Sequence, residues 1–441
     1  MSNNIIYPAC LSAFVLWDNI EKRLSNINAQ RYKPWPLPSE AERLYDVSDV
    51  SLVVPTVDWD DNFSPNLRRW LSNNPGEIII VTVSSEAQKA RAIIETESIQ
   101  ESTIDTKIRL LTIDHANKRD QLIRGVNDAN GKIIALVDDD AFWKSDVVLM
   151  HLLAPFQQED VGLVGGPIDS YVPEERKDPA IITPWEVAAI RIRSKRGRSM
   201  KAAFAADGGI NFCVSGVTML LRSEILKDAA FQHAFTNDFW LGKRQNTGDD
   251  GFITRWVLFH HLLSHHADGQ TVPRRWKLGM QLTPEAEVST SIMTDSRFAQ
   301  QMKRWYRSGL RLRLTCLLIE PGLRGMWSTC PYMARKMAEG IVNPVLAILR
   351  FVLWLLTLRH YPILALAFAA WELYLWVSDL VRFSRAYPWC GRFPWAAIIA
   401  DKLYLISDWY CWLNLSQENW MTRAMVDDDN VEGASSLLRE E

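Results

Sequence analysis

Three consecutive aspartates have the residue type and the setting that metal chemistry needs. Asp138, Asp139 and Asp140 follow directly after KIIALV (Lys132–Val137), an apolar run typical of a buried β-strand. Ligands of open α/β sheets bind at the carboxyl ends of the strands. From an extended segment, Asp138 and Asp140 can both reach one Mg²⁺ or Mn²⁺, which in turn bridges the phosphates of a nucleotide. The alternative is a solvated acidic run, which is how we interpret the same triplet at Asp427–Asp429, where no strand precedes it.

A second acidic pair, Asp249 and Asp250, stands where a helix is expected to begin. Gly248 precedes the pair, and the apolar periodicity of the segment that follows, FITRWVLFHH, predicts a helix. Acidic residues in a first helical turn stabilise the helix dipole, which is one explanation for the pair. The other explanation is catalytic, because a carboxylate placed opposite metal-bound phosphates can act as general base toward a hydroxyl group.

The third group of candidate residues lies in QMKRW at 301–305. Gln301, Arg304 and Trp305 are spaced i, i+3 and i+4 and share one face of a predicted helix. Arg304 could neutralise a diphosphate leaving group. Trp305 could stack on a sugar, and Gln301 could orient that sugar. The alternative is a basic helix next to a membrane, and both interpretations can hold together. The basic residues of that helix are Lys303, Arg304, Arg307, Arg311 and Arg313.

These residues need a sheet to position them, and a series of apolar runs predicts one. Val50–Val54, Glu77–Val83 and Lys107–Ile113 are rich in β-branched residues, and amphipathic stretches separate them. One of those stretches, Lys118 to about Asp128, has helical spacing. The alternation predicts βαβ units and a buried parallel sheet with covering helices. A linker with three prolines, residues 31–40, precedes this α/β domain.

Composition and charge exclude several classes of protein. The 441-residue chain is 48% hydrophobic and 23% charged, which excludes a disordered protein and is enough for two or three domains. A net charge of −3 provides no general positive excess for binding nucleic acid. The six cysteines form no C-x-x-C pair and no metal-ligand spacing, so we expect a reduced compartment.

Two apolar segments near the C-terminus, Ile341–Leu358 and Tyr361–Val381, have the length of membrane-spanning helices. Trp395–Leu413 is a third candidate, but its charged residues fit an amphipathic helix at the membrane interface equally well. The N-terminal run Ile5–Trp17 is too short to span a bilayer, so we expect an interfacial or core-packed helix rather than a truncated signal anchor. The basic stretch Arg191–Lys201 is either a solvated loop or a contact with anionic lipid or a diphosphate.

Five short motifs occur in an order that identifies a family resemblance: VVPT at 53–56, VDDD at 137–140, SG at 215–216, GDD at 248–250 and QMKRW at 301–305. In this combination the chain resembles the processive family 2 glycosyltransferases, especially fungal membrane polysaccharide synthases related to hyaluronan, chitin and cellulose synthases. The resemblance implies a cytosolic α/β GT-A domain, which is a Rossmann-like nucleotide-diphospho-sugar transferase fold. It also implies C-terminal interfacial and transmembrane α-helices that carry this domain.

The resemblance assigns roles to residues by position. Asp138 and Asp140 resemble the D-x-D that binds the nucleotide and a metal ion, which in the family is Mg²⁺ or Mn²⁺. Asp250 resembles the catalytic base, with Asp249 as its partner. The further assignments implied by the resemblance are donor contacts at Pro55, Thr56, Gln301, Arg304 and Trp305, and acceptor contacts at Ser215, Gly216 and Trp305.

Three positions depart from the family pattern. The segment Thr82–Ser85 lacks the aspartate that reads the uracil base in the family, and Asp58 is one candidate to replace it. Gly251 stands where hyaluronan and chitin synthases commonly have an arginine, and Val217 stands where the family has an arginine after Ser-Gly. The identity of the sugar therefore does not transfer from the family.

The resemblance implies a membrane-bound, inverting glycosyltransferase that moves a sugar from a UDP-sugar to the end of a growing polysaccharide of a cell wall, capsule or extracellular matrix. The expected partners are the UDP-sugar, a glycan or lipid acceptor and membrane lipid, with no nucleic acid, and a homo-oligomer is compatible with them. The protein is expected in the plasma membrane or an endomembrane. Two alternatives stay open: transfer of a single sugar to a lipid, and a catalytically silent membrane subunit that binds a sugar nucleotide.

The predicted organisation of the chain has five parts. These are an N-terminal membrane-associated helix and linker (1–48), the cytosolic catalytic domain (49–295), interfacial helices with the Q-x-x-R-W motif (296–340), transmembrane or interfacial helices (341–418) and an acidic tail (419–441).

Overall fold

The apolar runs identified in the sequence form the centre of a seven-stranded sheet in the computed structural model, which describes residues 3–59, 61–100, 106–263 and 273–417. The acidic tail, with Asp427–Asp429, lies outside the described residues. The described strands are β1 (Val50–Pro55), β2 (Glu77–Val83), β3 (Lys107–Ile113), β4 (Ile133–Val137), β5 (Ala141–Trp143), β6 (Val161–Gly165), β7 (Ile168–Tyr171), β8 (Thr218–Arg222), β9 (Phe239–Trp240), β10 (Lys243–Arg244), β11 (Lys277–Met280) and β12 (Val288–Ser291).

Helices cover this sheet and continue beyond it. The described α-helices are α1 (Ile6–Arg31), α2 (Phe63–Leu71), α3 (Ala87–Gln100), α4 (Lys118–Asp128), α5 (Val148–Leu153), α6 (Pro184–Arg193), α7 (Arg196–Asp207), α8 (Ser223–Leu226), α9 (Ala229–Thr236), α10 (Asp249–Phe259), α11 (Arg297–Leu314), α12 (Gly322–Thr329), α13 (Pro331–His360), α14 (Pro362–Ala386) and α15 (Pro394–Leu413).

The main sheet has the strand order β11-β6-β8-β4-β1-β2-β3. Neighbouring strands run parallel except at β8, which is antiparallel to both β4 and β6. The four apolar runs predicted as parallel strands, β1 to β4, are parallel as expected, and β8, which was not predicted, makes the sheet mixed. Because β8 runs against its neighbours, the residues that precede it lie at the same edge as the residues that follow β4. The Asp138 backbone N–H donates to the Val217 carbonyl at 3.1 Å across this edge.

Apolar clusters lie on both faces of the sheet, as the near-continuous apolar runs predict. On β1, Val53 packs into one cluster, while Leu52 and Val54 pack into the other with Trp70 and Trp143. Packing on both faces thus holds the strands in place, including the end of β4 that carries the aspartates.

A second, three-stranded sheet is built beside this edge in the order β5-β12-β7. β12 pairs antiparallel with β5 and parallel with β7, and the register places Thr290 opposite Ala141. Since Ala141 follows the aspartate triplet directly, this pairing holds the end of the triplet against β12.

Within the described part of the chain, α13 and α14 are each long and apolar enough to cross a membrane, judged by length and composition. Only 11% and 6% of their apolar windows are buried in the protein. The third candidate segment forms α15, which packs against α6 and α11 instead. Its Asp401 accepts hydrogen bonds from Arg191 at 2.7 and 2.9 Å.

Two predicted segments differ from their expected form. The N-terminal helix does not end with the apolar run at Trp17 but continues as α1 to Arg31. The basic stretch at 191–201 is helical rather than a solvated loop, because α6 and α7 include almost all of it. Its arginines are drawn into contacts with carboxylates, carbonyls and aromatic rings that lie far away in the sequence.

Candidate active site

Two threonine hydroxyl groups hydrogen-bond to different aspartates of the triplet. Thr56, directly after β1, donates its hydroxyl hydrogen to Asp139 Oδ2 at 2.9 Å. Thr290 on β12 donates to Asp140 Oδ2 at 2.6 Å. Asp139 is buried and serves the turn after β1, where Pro55 is buried as well. Asp138 and Asp140 are thus placed by β4 and β12, while the middle aspartate holds the neighbouring turn.

A lysine that the sequence interpretation missed joins the two acidic motifs. Lys118 Nζ lies 2.7 Å from Asp138 Oδ1 and 2.9 Å from Asp249 Oδ2. Lys118 is the first residue of α4, and Asn117 caps this helix by accepting from the Arg119 and Asp120 N–H groups. The available signal was an Asn-Lys pair at a helix start after β3, on the same sheet edge as the aspartates.

Burial and neighbouring charges shift the pKa values of Asp138, Asp249 and Lys118 in different ways. Burial raises the pKa of Asp138 to about 7, with Asp140 and Asp249 adding to the rise and Lys118 opposing it. Burial acts the same way on Asp249, but Lys118 outweighs it and the pKa of Asp249 is lowered. The pKa of Lys118 is raised because Asp138 and Asp249 outweigh the effect of its burial. The bridging lysine therefore stays charged, and it holds Asp249 ionised.

Asp250 lies beside this cluster in the first turn of α10. The helix follows Gly248, whose φ of +76° allows the sharp entry that a residue with a side chain disfavours. Asp250 Oδ1 accepts from the Gly251 N–H at 2.7 Å, and Cys213 Sγ donates to Oδ2 at 3.4 Å. Burial and the charge of Asp249 raise the pKa of Asp250. The pair thus lies in the first helical turn, as the helix-dipole explanation expects, and also in the acidic cluster. Its catalytic role stays a prediction.

The Ser215–Gly216 turn forms one wall of the cluster. A Cβ atom on Gly216 would lie 3.5 Å from Asp250 Cβ, 3.6 Å from Lys118 Nζ and 3.7 Å from Asp249 Oδ2. Any larger side chain at this position would occupy the space beside the carboxylates. The turn reaches this place because it directly precedes the antiparallel strand β8.

The Q-x-x-R-W residues lie on α11, and Trp305 connects that helix to the cluster. The guanidinium carbons of Arg193 and Arg196 lie 5.2 and 5.7 Å from the centre of the Trp305 ring. Arg193 Nη1 donates to the Thr290 carbonyl at 3.2 Å, next to the hydroxyl that supports Asp140. Gln301 is buried, and Arg304 is half-buried one turn further along.

The two arginines on Trp305 carry positive charge in a confined space. Burial lowers the pKa of Arg193 to about 10, with the charge of Arg196 contributing. Burial also lowers the pKa of Arg196, while the nearby Asp250 carboxylate favours its charged form. Sequence analysis treated these arginines only as part of a basic stretch, because their approach to Trp305 depends on the packing of α6 and α7 against α11.

A carboxylate does occur near the strand end where the family aspartate is missing. Ser84, directly after β2, donates its hydroxyl hydrogen to the Ile113 carbonyl at 3.2 Å and lies 3.3 Å from Asp114 Oδ1. Asp114 follows β3 and is exposed. Asp58 is exposed too, and its carbonyl oxygen lies 2.8 Å from Thr56 Oγ1. The structure thus places Asp114, from the neighbouring strand, beside the position that lacks an acidic side chain.

The donor atoms fit a divalent cation that shares its ligands with a substrate. In the described ranges no three His, Cys, Asp or Glu side chains converge as a complete protein metal site. Asp138 and Asp140 supply two carboxylates, and Mg²⁺ and Mn²⁺ are commonly held by one or two carboxylates together with substrate phosphates. Burial raises the pKa of Asp138 first, and the negative charges of Asp140 and Asp249 add to the rise, an effect that a bound cation would oppose.

Replacement of the bridging lysine is expected to destabilise the domain. The Lys118, Asp138 and Asp249 side chains are only 18%, 26% and 10% exposed, so Lys118→Met leaves two enclosed carboxylates without their counter-ion. We expect a loss of about 3 kcal/mol, the lower end for a broken buried pair, which lowers the thermal midpoint by about 6–12 °C.

The matched control is Lys118→Met combined with Asp249→Asn, which removes one of the unpaired charges and is expected to recover much of the lost stability. Thermal unfolding of the purified variants measures both effects. A single variant as stable as the parent protein would contradict the structural role of the bridge.

A mixed sheet with this strand order, an aspartate triplet at its carboxyl edge and a small sheet beside it define the GT-A fold, the Rossmann-like fold of nucleotide-diphospho-sugar transferases. The chain belongs to the family 2 glycosyltransferases, since residues 48–308 match the family described as "Glycosyltransferase like family 2". The match includes the triplet, the acidic pair and the Q-x-x-R-W motif.

Individual proteins agree with this assignment. The chain is 40% identical over 426 residues to the NDP-glycosyltransferase ltbB of Aspergillus luteorubrus, covering 96% of this chain and 99% of the relative. It is 31% identical over 322 residues to a type 2 glycosyltransferase of Zymoseptoria tritici, covering 73% of this chain and 61% of the relative. The mannosyltransferase PcManGT from Pyrobaculum calidifontis, solved with GDP-Man and Mn²⁺, shares the fold. Its TM-score is 0.55 at 14% identity, over 95% of this chain and 99% of that chain.

Proposed function

We propose that the protein is a membrane-bound, inverting glycosyltransferase that transfers a sugar from a UDP-sugar to the end of a growing polysaccharide. The observation that carries this proposal is the convergence of Asp138, Asp249 and Asp250 around Lys118 at the carboxyl edge of the sheet. One end of this cluster suits a nucleotide diphosphate, and the other suits activation of a hydroxyl group.

The donor is proposed to bind along the edge from β3 to β4. The base lies toward Ser84 and Asp114, where the Asp114 carboxylate can accept from the uracil imide N–H. The turn at Pro55 and Thr56 supports the nucleoside, since Thr56 is already fixed to Asp139. Arg304 is proposed to face the diphosphate from α11.

The reaction is proposed to be a single displacement at the anomeric carbon. Asp250 accepts the proton of the acceptor hydroxyl as its oxygen forms the new glycosidic bond, and the bond to UDP breaks on the opposite face. The raised pKa of Asp250 makes it a stronger base than an ordinary aspartate. Asp138 and Asp140 would hold Mg²⁺ or Mn²⁺, which would supply positive charge to the diphosphate. Lys118 keeps Asp249 ionised and correctly placed beside the base.

The acceptor is proposed to enter between the Ser215–Gly216 turn and Trp305. The open space beside Gly216 admits a sugar hydroxyl to Asp250, and the Trp305 ring offers a stacking surface for the acceptor sugar. The full acidic cluster favours an active enzyme over the silent subunit, because a subunit that only binds nucleotide has no need of the Asp250 environment.

A lipid acceptor is the second candidate, and one observation favours it. Arg193 and Arg196 both stack on Trp305, and Arg196 also lies within the electrostatic reach of Asp250. Two guanidinium groups beside the acceptor path suit a phosphate on the acceptor, such as that of a polyprenyl phosphate. In this case the enzyme adds one sugar and releases a glycolipid.

The membrane part is proposed to consist of α13 and α14 as a helical hairpin, with the catalytic domain in the cytosol. Basic residues flank the domain-proximal ends of both helices, as the positive-inside rule requires of a cytosolic side. The proposed membrane is the plasma membrane or an endomembrane.

Product analysis tests this proposal. Purified protein in nanodiscs is incubated with a UDP-sugar, Mg²⁺ or Mn²⁺ and a membrane extract as the source of acceptor. The product is sized, and its anomeric configuration is determined by NMR. The proposal expects a high-molecular-weight glycan with β-linkages from an α-linked donor. A glycolipid carrying one sugar would support the second candidate, and retention of the α-configuration would contradict the single displacement.

A further inference from the structure

The N-terminal helix α1 lies alongside the proposed membrane hairpin and runs antiparallel to α13. At one end, Asn4 lies 3.4 Å from His360 Nδ1, and the rings of Tyr7 and His360 stack at 6.0 Å. At the other end, Glu21 pairs with Arg335 and Lys336. The helix therefore follows α13 along the whole of its apolar stretch.

A charged cluster joins the three helices within that stretch. Arg350, on α13, lies 2.7 Å from Asp18 of α1 and 3.9 Å from Glu372 of α14. The Phe14 ring lies 5.1 Å from the Arg350 guanidinium carbon. An arginine in a hydrocarbon environment is tolerated where it is paired with carboxylates of neighbouring helices. Asp18 of α1 thus gives Arg350 a carboxylate at close range, whereas the Glu372 carboxylate of α14 lies farther away.

The outward face of α1 is apolar over the same length. Ile5, Ile6 and Leu16 are 68%, 57% and 61% exposed, and exposed apolar side chains on α13 and α14 continue this surface. Residues 5–20 contain Asp18 as their only charged residue. They cover about 24 Å at 1.5 Å per residue. This is close to the roughly 30 Å of a bilayer core, and local thinning accommodates a short span.

Basic residues are distributed unequally between the two ends of the three helices. The end near the catalytic domain is identified by Asp207, which accepts from the Tyr332 N–H at 2.7 Å, and by the ion pair of Arg191 with Asp379 at 2.6 Å. In the described part of these helices, the opposite end carries one Lys or Arg, Arg359. The domain end carries Lys22, Arg23, Arg31, Arg335, Lys336, Arg382 and Arg385.

This asymmetry favours a lipid bilayer over a second protein as the partner of the apolar face, because charge sorting of this kind is a property of membrane insertion. We propose that α1 is a third membrane-spanning helix, with its N-terminus on the side opposite the catalytic domain and with Asp18 pairing Arg350 inside the membrane. The inference rests on the proposed membrane hairpin of α13 and α14.

Glycosylation mapping in microsomes tests this topology. One full-length variant carries an Asn-x-Thr acceptor on an N-terminal extension, and another carries it in a loop inserted at Tyr361 between α13 and α14. We expect both acceptors to be glycosylated. The natural Asn62-Phe63-Ser64 and Asn414-Leu415-Ser416 sequences serve as internal controls, and they are expected to stay unmodified on the cytosolic side.

The outcomes separate this inference from the proposed function. An unmodified N-terminal acceptor with a glycosylated Tyr361 loop would overturn the third span and leave the hairpin intact. If neither acceptor is modified and the protein stays soluble without detergent, the face is covered by protein, and both the hairpin and the third span fail. Modification of Asn62 or Asn414 would show that the catalytic domain lies on the lumenal side. This would contradict both the proposed orientation of the hairpin and that of the third span.

Charge exchange tests the Asp18–Arg350 pair separately. Asp18→Arg places two cations together in hydrocarbon and is expected to reduce the glycosylated fraction of the N-terminal acceptor by at least about threefold. Asp18→Arg with Arg350→Asp restores the pair and is expected to restore the fraction. Equal loss in the single and double variants would overturn the pairing, because the defect would then be independent of residue 350.

Discussion

Asp250→Asn is expected to lower kcat by about 10²- to 10⁴-fold, the range that a general base contributes. The amide can still accept the hydrogen bond from the Gly251 N–H, so the start of α10 should remain intact. The amide cannot take a proton from the acceptor hydroxyl. Donor binding should change little, because Asp138, Asp140 and Lys118 remain in place. Steady-state rates of nucleotide release and calorimetric donor binding measure the two quantities.

Asp228→Asn is the matched control for this substitution. Asp228 also precedes a helix, where its carboxylate accepts from the Phe231 N–H at 2.9 Å, but it is exposed and outside the cluster. Asparagine caps a helix about as well as aspartate, so this variant should keep full activity. If Asp250→Asn also keeps full activity, Asp250 is not the general base.

Asp140→Asn is expected to reduce kcat/KM by about 10²- to 10³-fold, as the loss of a charge-stabilising group at a leaving group does. The Thr290 hydroxyl can donate to the amide oxygen as it does to the carboxylate, so the position of residue 140 should be retained. The neutral amide is a weaker ligand for Mg²⁺ or Mn²⁺ and leaves Asp138 as the remaining carboxylate. Donor binding should therefore weaken in the presence of the metal ion, in contrast to Asp250→Asn.

Asp146→Asn controls for a general effect of removing negative charge near the site. Asp146 is exposed and lies a few residues beyond the triplet, so its loss should change neither activity nor metal-dependent binding. If Asp140→Asn binds donor and Mn²⁺ like the parent protein, Asp140 is not part of the metal site.

The sheet could be predicted because its strands are apolar on both faces. Runs such as Glu77–Val83 and Ile133–Val137 are buried along their whole length, and this burial is what their composition indicates. The direction of β8 was not predictable in the same way. A strand of five residues reads alike in either direction, and its orientation depends on the path of the preceding chain through α6 and α7.

The candidate site was predictable only where chemistry and sequence position coincide. The triplet was identified because it follows a strand, and the acidic pair because it begins a helix. Lys118 also stands at a helix start, but a lysine there is ordinarily a surface residue, and only the fold brings Asp138 and Asp249 to it. Arg193 is a similar case, because its contact with Trp305 depends on helix packing. Charge partners distant in sequence are not encoded in local periodicity.

Nucleotide release by purified protein in nanodiscs is the most direct test of the proposed glycosyl transfer at the Asp138–Asp140 and Asp250 site. The assay compares UDP-sugars with GDP-sugars, in Mn²⁺, in Mg²⁺ and in chelator, for the parent protein and Asp250→Asn. We predict release from one UDP-sugar that requires the metal ion and falls at least about 10²-fold in the variant. Metal-dependent UDP binding without release from any donor, when acceptor is supplied, would contradict this account and identify a silent subunit.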